Sequence, residues 1–201
     1  MKKPQNAFII GIILGAIITR IFLVTTQTHE DTHPIGYADN TDEVHVHSDF
    51  IMHLDGETID FSLDKYQTTN QQTVHQHIHL HDNNGEVIHR HAQAVTLGEF
   101  FGSLGFILGT DCITTPDGTE YCTNDKASVA VFVNSEQIED APNYVNQEED
   151  RILIYYGALS SDRLPELLNS ITDTACIYSG TCPERGVAPP ESCGLTCELS
   201  S

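Results

Sequence analysis

Histidines dominate the centre of the chain, where four of them alternate with other residues before a turn signal. The stretch V-H-Q-H-I-H-L-H-D-N-N-G-E-V-I-H-R-H runs from Val74 to His91. Alternation with a period of two is typical of a β-strand, whose successive side chains point to opposite faces of a sheet. Neutral imidazole is a common ligand for zinc, copper(II) and nickel, so a strand face lined with histidines predicts metal binding.

The turn after the first histidine arm decides which histidines meet. The segment Asp82 to Gly85 suits a three-residue hairpin loop that Gly85 closes in a left-handed conformation. The pairs predicted by this register are His79 with His89, His77 with His91, and Leu80 with Ile88. Opposed side chains lie ~5 Å apart, and an ion binds imidazole nitrogens at about 2.0–2.1 Å. A two-residue loop would instead put the two sets of histidines on opposite faces.

A second hairpin, from His45 to Ser62, repeats this arrangement. Its turn signal is Asp55-Gly56, which favours a two-residue type I′ turn. This register pairs Met52 with Ile59 and Phe50 with Phe61, and so builds one apolar face. The other face carries His45, His47 and His53 beside Asp49. Together the two hairpins supply the predicted metal ligands: His47, Asp49, His77, His79, His81, His89 and His91.

The charge of the chain excludes nucleic acid as a partner. Its 201 residues include 29 Asp and Glu but only 9 Lys and Arg, for a net charge of −20. Such a surface repels phosphates and attracts cations. A metal ion is therefore the predicted partner, zinc first, with copper(II) or nickel as alternatives, and any protein partner stays open.

The N-terminal segment predicts a membrane anchor. Lys2 and Lys3 precede an apolar run from Ala7 to Val24, which at 1.5 Å per residue is about 27 Å long, enough for a bilayer core. We expect residues 1–24 to form an uncleaved single-pass anchor that places the remainder outside the cytoplasm; a cleaved signal peptide is the rival interpretation. Residues 25–44 read as a polar linker, in which His29 and His33 are incidental.

Six cysteines follow the histidine block, an even number that suits an oxidising compartment. Cys112 and Cys122 flank a Pro-Asp-Gly turn, and we expect a disulfide between them. The other four lie in a Pro- and Gly-rich tail and predict a small disulfide knot, with zinc bound by four thiolates as the alternative. These tail cysteines are Cys176, Cys182, Cys193 and Cys197.

The remaining elements predict an α+β ectodomain at residues 45–160. Thr96 and Glu99 form a capping box for a short helix that ends near Gly105. Two buried strands at 128–134 and 150–157 complete the order strand, strand, helix, strand, strand. That order predicts a β-grasp (ubiquitin-like) sheet. A short helix at 164–171 then begins the cysteine-rich tail region, residues 161–201.

Several stretches resemble a known family of small membrane-anchored ectodomains. They are H-V-H-S-D-F, H-I-H-L-H-D-N-N-G-E-V-I-H-R-H, T-L-G-E-F-F-G-S-L-G, D-R-I-L-I-Y-Y-G and the cysteine tail. The family occurs in reduced-genome bacteria and some archaea, is rich in histidine and has no established activity, although its members often carry the label protein-disulfide isomerase. Isomerases use a low-pKa thiolate, usually in C-x-x-C. This chain has no such spacing, which argues against isomerase activity.

Three functions fit these observations. The first is a binding domain for a divalent transition metal. The second is a zinc-dependent hydrolase, in which three histidines and a water hold the ion and Asp49, or more remotely Glu86 or Glu99, acts as the base. The third is a disulfide-stapled adhesion or scaffold domain, whose solvated histidine face senses pH. The histidine pattern on two hairpins favours the first function, and the sequence identifies no catalytic residue.

Overall fold

The computed structural model describes residues 44–69 and 71–188. The predicted anchor at 1–24, nearly all of the linker, Cys193, Cys197, His29 and His33 lie outside the described residues. Within these two ranges no helix is both long and apolar enough to cross a membrane. The described part mixes sheets with a few short helices, so the predicted α+β class is confirmed.

The described part of the chain contains two β-sheets. The larger has the order β3-β4-β1-β10-β8-β9, with β2 also paired to β1; the smaller has the order β5-β6-β7. The strands are β1 Val46–Leu54, β2 Glu57–Thr58, β3 Ile78–His79, β4 Val87–Arg90, β5 Ile107–Leu108, β6 Cys112–Thr114, β7 Glu120–Cys122, β8 Ser128–Val133, β9 Glu136–Ile138 and β10 Arg151–Gly157. The α-helices are α1 Leu97–Ser103, α2 Arg163–Ser170 and α3 Ala175–Tyr178, and short 3-10 turns lie at Asp64–Tyr66 and Ala141–Asn143.

The first hairpin has the predicted register. Asp55 and Gly56 both have positive φ, as a type I′ turn requires, and the Ile59 amide donates to the Met52 carbonyl at 2.9 Å. Strand β2 ends at Thr58, so Phe50 and Phe61 are not strand partners, although their ring centroids lie 5.2 Å apart. This pairing still places the two rings in one apolar core.

The central hairpin also has the predicted register, since His79 pairs with His89 and the His91 amide donates to the His77 carbonyl at 2.7 Å. The predicted role of Gly85 was wrong, because Asp82 and Asn83, not Gly85, adopt positive φ. Gly85 is instead a point of close approach. A Cβ there would lie 2.4 Å from the Ser62 amide nitrogen, so the two hairpins pack backbone to backbone.

The first histidine arm is a shorter strand than the alternation predicts. Strand β3 covers only Ile78–His79, and the chain before it bends. The His75 Nδ1 atom accepts hydrogen bonds from the amides of His77 and Ile78, both at 3.2 Å. These local bonds divert backbone donors that a longer strand would use.

The helix α1 covers one face of the large sheet. The predicted capping box is present, with Thr96 and Glu99 bonded to each other's backbone amides, and Gly105 follows the helix with a φ of 86°. Phe100 and Phe101 of this helix pack on Phe50. The hydrophobic core lies between the helix and this face.

The opposite face of the large sheet is divided in character. Over β8 and β10 this face is apolar. Leu167 of α2 and Ile171, just after that helix, pack there in one cluster with Leu153. Over β1, β4 and β3 the same face carries histidines. After α2 the chain continues across this half, and α3 contacts β1. The short helix α3 was not predicted.

Two disulfides lie in the described ranges, and no cysteine there is free. Cys112 and Cys122 are joined as predicted, across paired strands β6 and β7. Cys176 is joined to Cys182, which takes two of the four tail thiolates away from the alternative of a zinc site.

Candidate metal centre

The pairing of three strands gathers the histidines into a grid. On the middle strand β4, His89 lies opposite His47 of β1 on one side and His79 of β3 on the other. Residues two apart in an extended chain share a face, and the histidines just outside the ends of these strands, His45, His81 and His91, have their rings on the same side. We call this group the histidine face; its members are His45, His47, His79, His81, His89 and His91.

Three of these side chains form a compact group of potential ligands. One nitrogen from each of His45, His47 and His89 lies within 4.8 Å of the others. His47 and His89 lie on the paired strands β1 and β4, and His45 directly precedes β1. A histidine group that could hold a metal ion is therefore present, as the two hairpins predict.

The spacing inside this group fits a shared ion. The Nε2 atoms of His45 and His47 are 3.1 Å apart. Two nitrogens bound tetrahedrally to one zinc ion at about 2.0–2.1 Å would lie roughly 3.3 Å from each other. The two nitrogens, which share a hydrogen bond without an ion, thus already lie at nearly the separation that a single ion requires.

The second ring nitrogen of His47 is committed to a hydrogen bond. His47 Nδ1 lies 2.9 Å from the Ser179 hydroxyl oxygen. That hydroxyl is placed to donate its one proton to the Glu148 carboxylate or to the Ala175 carbonyl, neither of which can donate in return. The Ser179 oxygen therefore accepts from His47 Nδ1, and the lone pair of His47 is on Nε2, facing His45.

Two more histidines show the same orientation. His79 Nδ1 donates to the His75 carbonyl at 3.0 Å, and His81 Nδ1 to the Asp82 carboxylate at 2.8 Å. Each Nε2 therefore carries a lone pair, and that of His81 is buried without a hydrogen-bond partner. A metal-binding histidine typically donates its other N–H to a carboxylate or carbonyl in this way.

The remaining contacts pack the rings into one layer. The His81 and His89 ring centroids are 3.8 Å apart, His45 and His91 4.7 Å, and His79 and His91 5.0 Å. His79, His81 and His89 are completely buried, whereas His45 is exposed at the rim. An ion held by His45, His47 and His89 would thus have two buried ligands and one exposed ligand.

Asp49 shares the strand face of His47 but is used differently. It is buried, and its carboxylate accepts four hydrogen bonds, all from the segment after α2. The donors are the Thr172 hydroxyl (2.6 Å), the Thr174 amide (2.9 Å) and hydroxyl (3.0 Å), and the Ala175 amide (3.0 Å). Asp49 thus anchors this segment over the sheet and does not join the three-ligand group.

His75 and His77 lie at the edge of the grid. Their ring centroids are 6.1 Å apart, and both side chains are partly buried. Burial lowers the pKa of both imidazoles, and the nearby charge of His77 lowers that of His75 further. The structure does not bring His77 into the group of three.

The other two carboxylates predicted as remote bases are separate from the ligand group. Glu99 is committed to the cap of α1, where it accepts from the Thr96 amide at 2.8 Å. Glu86 is exposed beside the turn of the central hairpin. Neither lies among the three ligands.

Sequence reasoning missed four contributors to the site. His45 was placed in the first hairpin but left out of the ligand set, although its alternation with His47 was a sufficient signal. No sequence pattern indicated Tyr178, Ser179 or Glu148, because each lies more than 50 residues along the chain from the histidine that it contacts, His47 or His89. The Tyr178 ring lies 5.0 Å from His89 and 5.7 Å from His47.

Comparisons of the chain with protein-family models, with curated proteins and with solved structures found no significant match. The family resemblance described above therefore stays a prediction.

Proposed function

We propose that this protein is a binding domain for a divalent transition-metal ion. The observation that carries the proposal is that His45, His47 and His89 lie together, with one nitrogen of each within 4.8 Å of the others. His47 and His89 are paired across β1 and β4 before the ion arrives, which lowers the ordering cost of binding.

The neighbouring histidines extend the proposed site. His81 is the best placed fourth ligand, because its ring packs on His89 and its buried Nε2 has no hydrogen-bond partner. His79 and His91 adjoin this set and complete a layer of six imidazoles. His77 has a rim position, and Asp49 supports the site by anchoring the segment above it.

The ligand chemistry favours zinc, with copper(II) and nickel as alternatives. Neutral imidazole nitrogen suits these three ions, whereas calcium and magnesium prefer oxygen. The four cysteines within the described ranges are in disulfides and offer no thiolate. A site built from nitrogen alone therefore supports a borderline ion rather than a soft one such as copper(I).

We further infer that the domain lies outside the cytoplasm, anchored by residues 7–24. The two disulfides support this location, since disulfides persist in oxidising compartments. We also infer a β-grasp arrangement for the middle of the large sheet. The order β2-β1-β10-β8-β9, with β1 parallel to β10, supports it.

The other two functions have less support. A hydrolase needs a base near the ion, yet Asp49 accepts four hydrogen bonds and Glu99 caps a helix. A pH-sensing scaffold needs a solvated histidine face, yet His79, His81 and His89 are completely buried. These contacts favour metal binding over a hydrolase and over a pH-sensing scaffold.

The test is elemental analysis of the full-length chain purified through a tag without histidine. We expect zinc, copper or nickel at close to one ion per chain or more, removable by a chelator and restored by zinc. A folded protein that contains none of these metals and takes up none on titration would contradict the proposal.

A further inference from the structure

A short disulfide-closed loop lies over the histidine face. Its seven residues, C-I-Y-S-G-T-C, run from Cys176 to Cys182 and include the last three residues of α3. The Tyr178 ring stands edge-on to His89, with ring planes at 89°, and its hydroxyl accepts a hydrogen bond from Asn84 at 2.9 Å. The loop therefore contacts both the imidazoles and the turn of the central hairpin.

The next residue of this loop reaches a ligand directly. The Ser179 hydroxyl oxygen accepts from His47 Nδ1 and hydrogen-bonds Glu148, whose carboxylate also lies 3.8 Å from His47 Nδ1. A negative charge behind the N–H favours the tautomer in which Nε2 is unprotonated. Without this acceptor, His47 could exchange its proton between the two nitrogens, and Nε2 would carry a lone pair for only part of the time.

The loop is held at both ends by contacts that do not involve a metal. Asp49 bonds the Thr174 and Ala175 amides just before it. The Thr181 hydroxyl bonds Glu149 near its end. The Cys176–Cys182 disulfide then fixes the turn of chain that carries Ser179.

We propose that Ser179 is a positioning residue for the metal site, acting through His47 with Glu148 behind it and the Cys176–Cys182 disulfide holding it in place. The inference rests on the proposed function, because it concerns how a ligand of that site is prepared. It adds that metal affinity depends on a segment of the chain more than 120 residues from the ligand that it orients.

The first experiment measures zinc affinity of the full-length chain by competition with a chromophoric chelator. We expect Ser179→Ala to weaken binding by roughly 10–100-fold, the usual effect of losing a partner of a metal-bound histidine. Ser179→Thr keeps the hydroxyl and should restore binding. Ser170→Ala is the matched control, because the Ser170 hydroxyl donates only to the Leu167 carbonyl within α2, and it should bind as the wild type does.

A spectroscopic measurement separates positioning from mere packing. In the metal-free wild type, ¹⁵N chemical shifts should show His47 protonated at Nδ1, and Ser179→Ala should shift His47 towards a mixture of tautomers. Glu148→Ala, at the partly exposed end of the relay, should weaken zinc binding in the same direction without unfolding the chain. Unchanged tautomer and affinity in both variants would overturn the inference.

The disulfide is tested with paired variants. Cys176→Ser with Cys182→Ser should weaken zinc binding about as much as Ser179→Ala, whereas Cys112→Ser with Cys122→Ser should leave the affinity unchanged. Equal affinity in the tail variant would overturn the role given to the disulfide. If the wild type itself binds no zinc, the proposed function fails. If the wild type binds zinc and Ser179→Ala binds it with the same affinity, this inference alone fails.

Discussion

At the residue scale, the imidazoles of the histidine face differ in what else they do. His79, His81 and His89 are buried within the sheet layer, so their rings contribute packing as well as nitrogen. His45 is exposed and contributes mainly its nitrogen, 3.1 Å from that of His47. His45 is therefore the proposed ligand whose removal separates metal binding from folding most cleanly.

We expect His45→Ala to weaken zinc binding by more than the roughly 10–100-fold that loss of a supporting residue costs, because it removes one ligand of three. Its free energy of unfolding without metal should stay within about 0.5 kcal/mol of the wild type, as is usual for exposed sites. Calorimetric titration and urea unfolding measure the two effects. His53→Gln is the control for zinc binding, because His53 bonds Thr58 outside the histidine face; wild-type affinity in His45→Ala would count against the site.

Asp49 illustrates a carboxylate that stabilises the fold. We expect Asp49→Asn to lower the free energy of unfolding by about 2–3 kcal/mol. The substitution removes a buried charged acceptor of four hydrogen bonds, and the new amide N–H₂ group faces donors that it cannot accept from. Thermal unfolding of metal-free protein measures this effect. Asp125→Asn, at an exposed position, should change stability little, and an equally small effect at Asp49 would refute its anchoring role.

His53 should make part of the stability depend on pH. Burial, and then the charge of Arg163, lower the pKa of His53. Below about pH 6.5, the ordinary histidine value, the unfolded chain takes up a proton that the folded chain does not. Stability is therefore lost as pH falls from that value towards the lowered pKa. In chelator, we expect the drop in unfolding free energy between pH 7 and pH 5 to be smaller in His53→Gln; an identical drop would contradict this.

At the element scale, the two hairpins are joined at Gly85, where backbone packs on backbone. A Cβ on this residue would meet the Ser62 nitrogen at 2.4 Å and the Phe61 carbonyl carbon at 2.6 Å. Both are main-chain atoms, so neither can turn away as a side chain would. This contact seats the central hairpin, and with it His79 and His81, against the first hairpin.

We expect Gly85→Ala to lower the free energy of unfolding by about 1–3 kcal/mol, the usual cost of overpacking. Gly102→Ala is the matched control, since a Cβ at this position of α1 meets nothing within 4 Å. It should stabilise the chain by up to ~1 kcal/mol, because alanine favours the helix. Urea unfolding of both variants measures the difference, and effects of equal sign would disprove the contact.

The local elements were predictable for a physical reason, namely that their signals lie within a few residues. The Asp55-Gly56 turn, the capping box of Thr96 and the Cys112–Cys122 bridge each depend on short-range chemistry, and all three are confirmed. The predicted left-handed conformation of Gly85 was wrong. Glycine is required there by the close approach of the Phe61–Ser62 backbone, not by the turn itself.

At the scale of the whole molecule, the proposed metal binding would be linked to folding. An ion that binds only the folded state stabilises it by about 2.7 kcal/mol at a free concentration 100 times its Kd. For a chain of this size that corresponds to roughly 5–10 °C in Tm. The buried position of the histidine face, within the fold and beneath the tail loop, makes such a linkage expected.

We therefore expect zinc to raise the Tm of the full-length chain by that amount at pH 7.5 and by much less at pH 5, where protons compete for the imidazoles. Scanning calorimetry at both pH values measures the change. Calcium at the same concentration is the control for the acidic surface, because calcium prefers oxygen ligands; an equal rise with calcium would show that charge alone is responsible.

The sequence by itself determined which histidines of each hairpin share a face, because the apolar residues between them must enter the core and a strand has a period of two. His79 opposite His89 follows from that rule together with the length of the loop between the two arms. Only the tertiary structure decided that β1 pairs with β4, that His45 and His47 join His89, and that the tail loop covers them. Those contacts join residues about 40 to 130 positions apart, and they depend on the packing of the whole sheet, for which no local pattern exists.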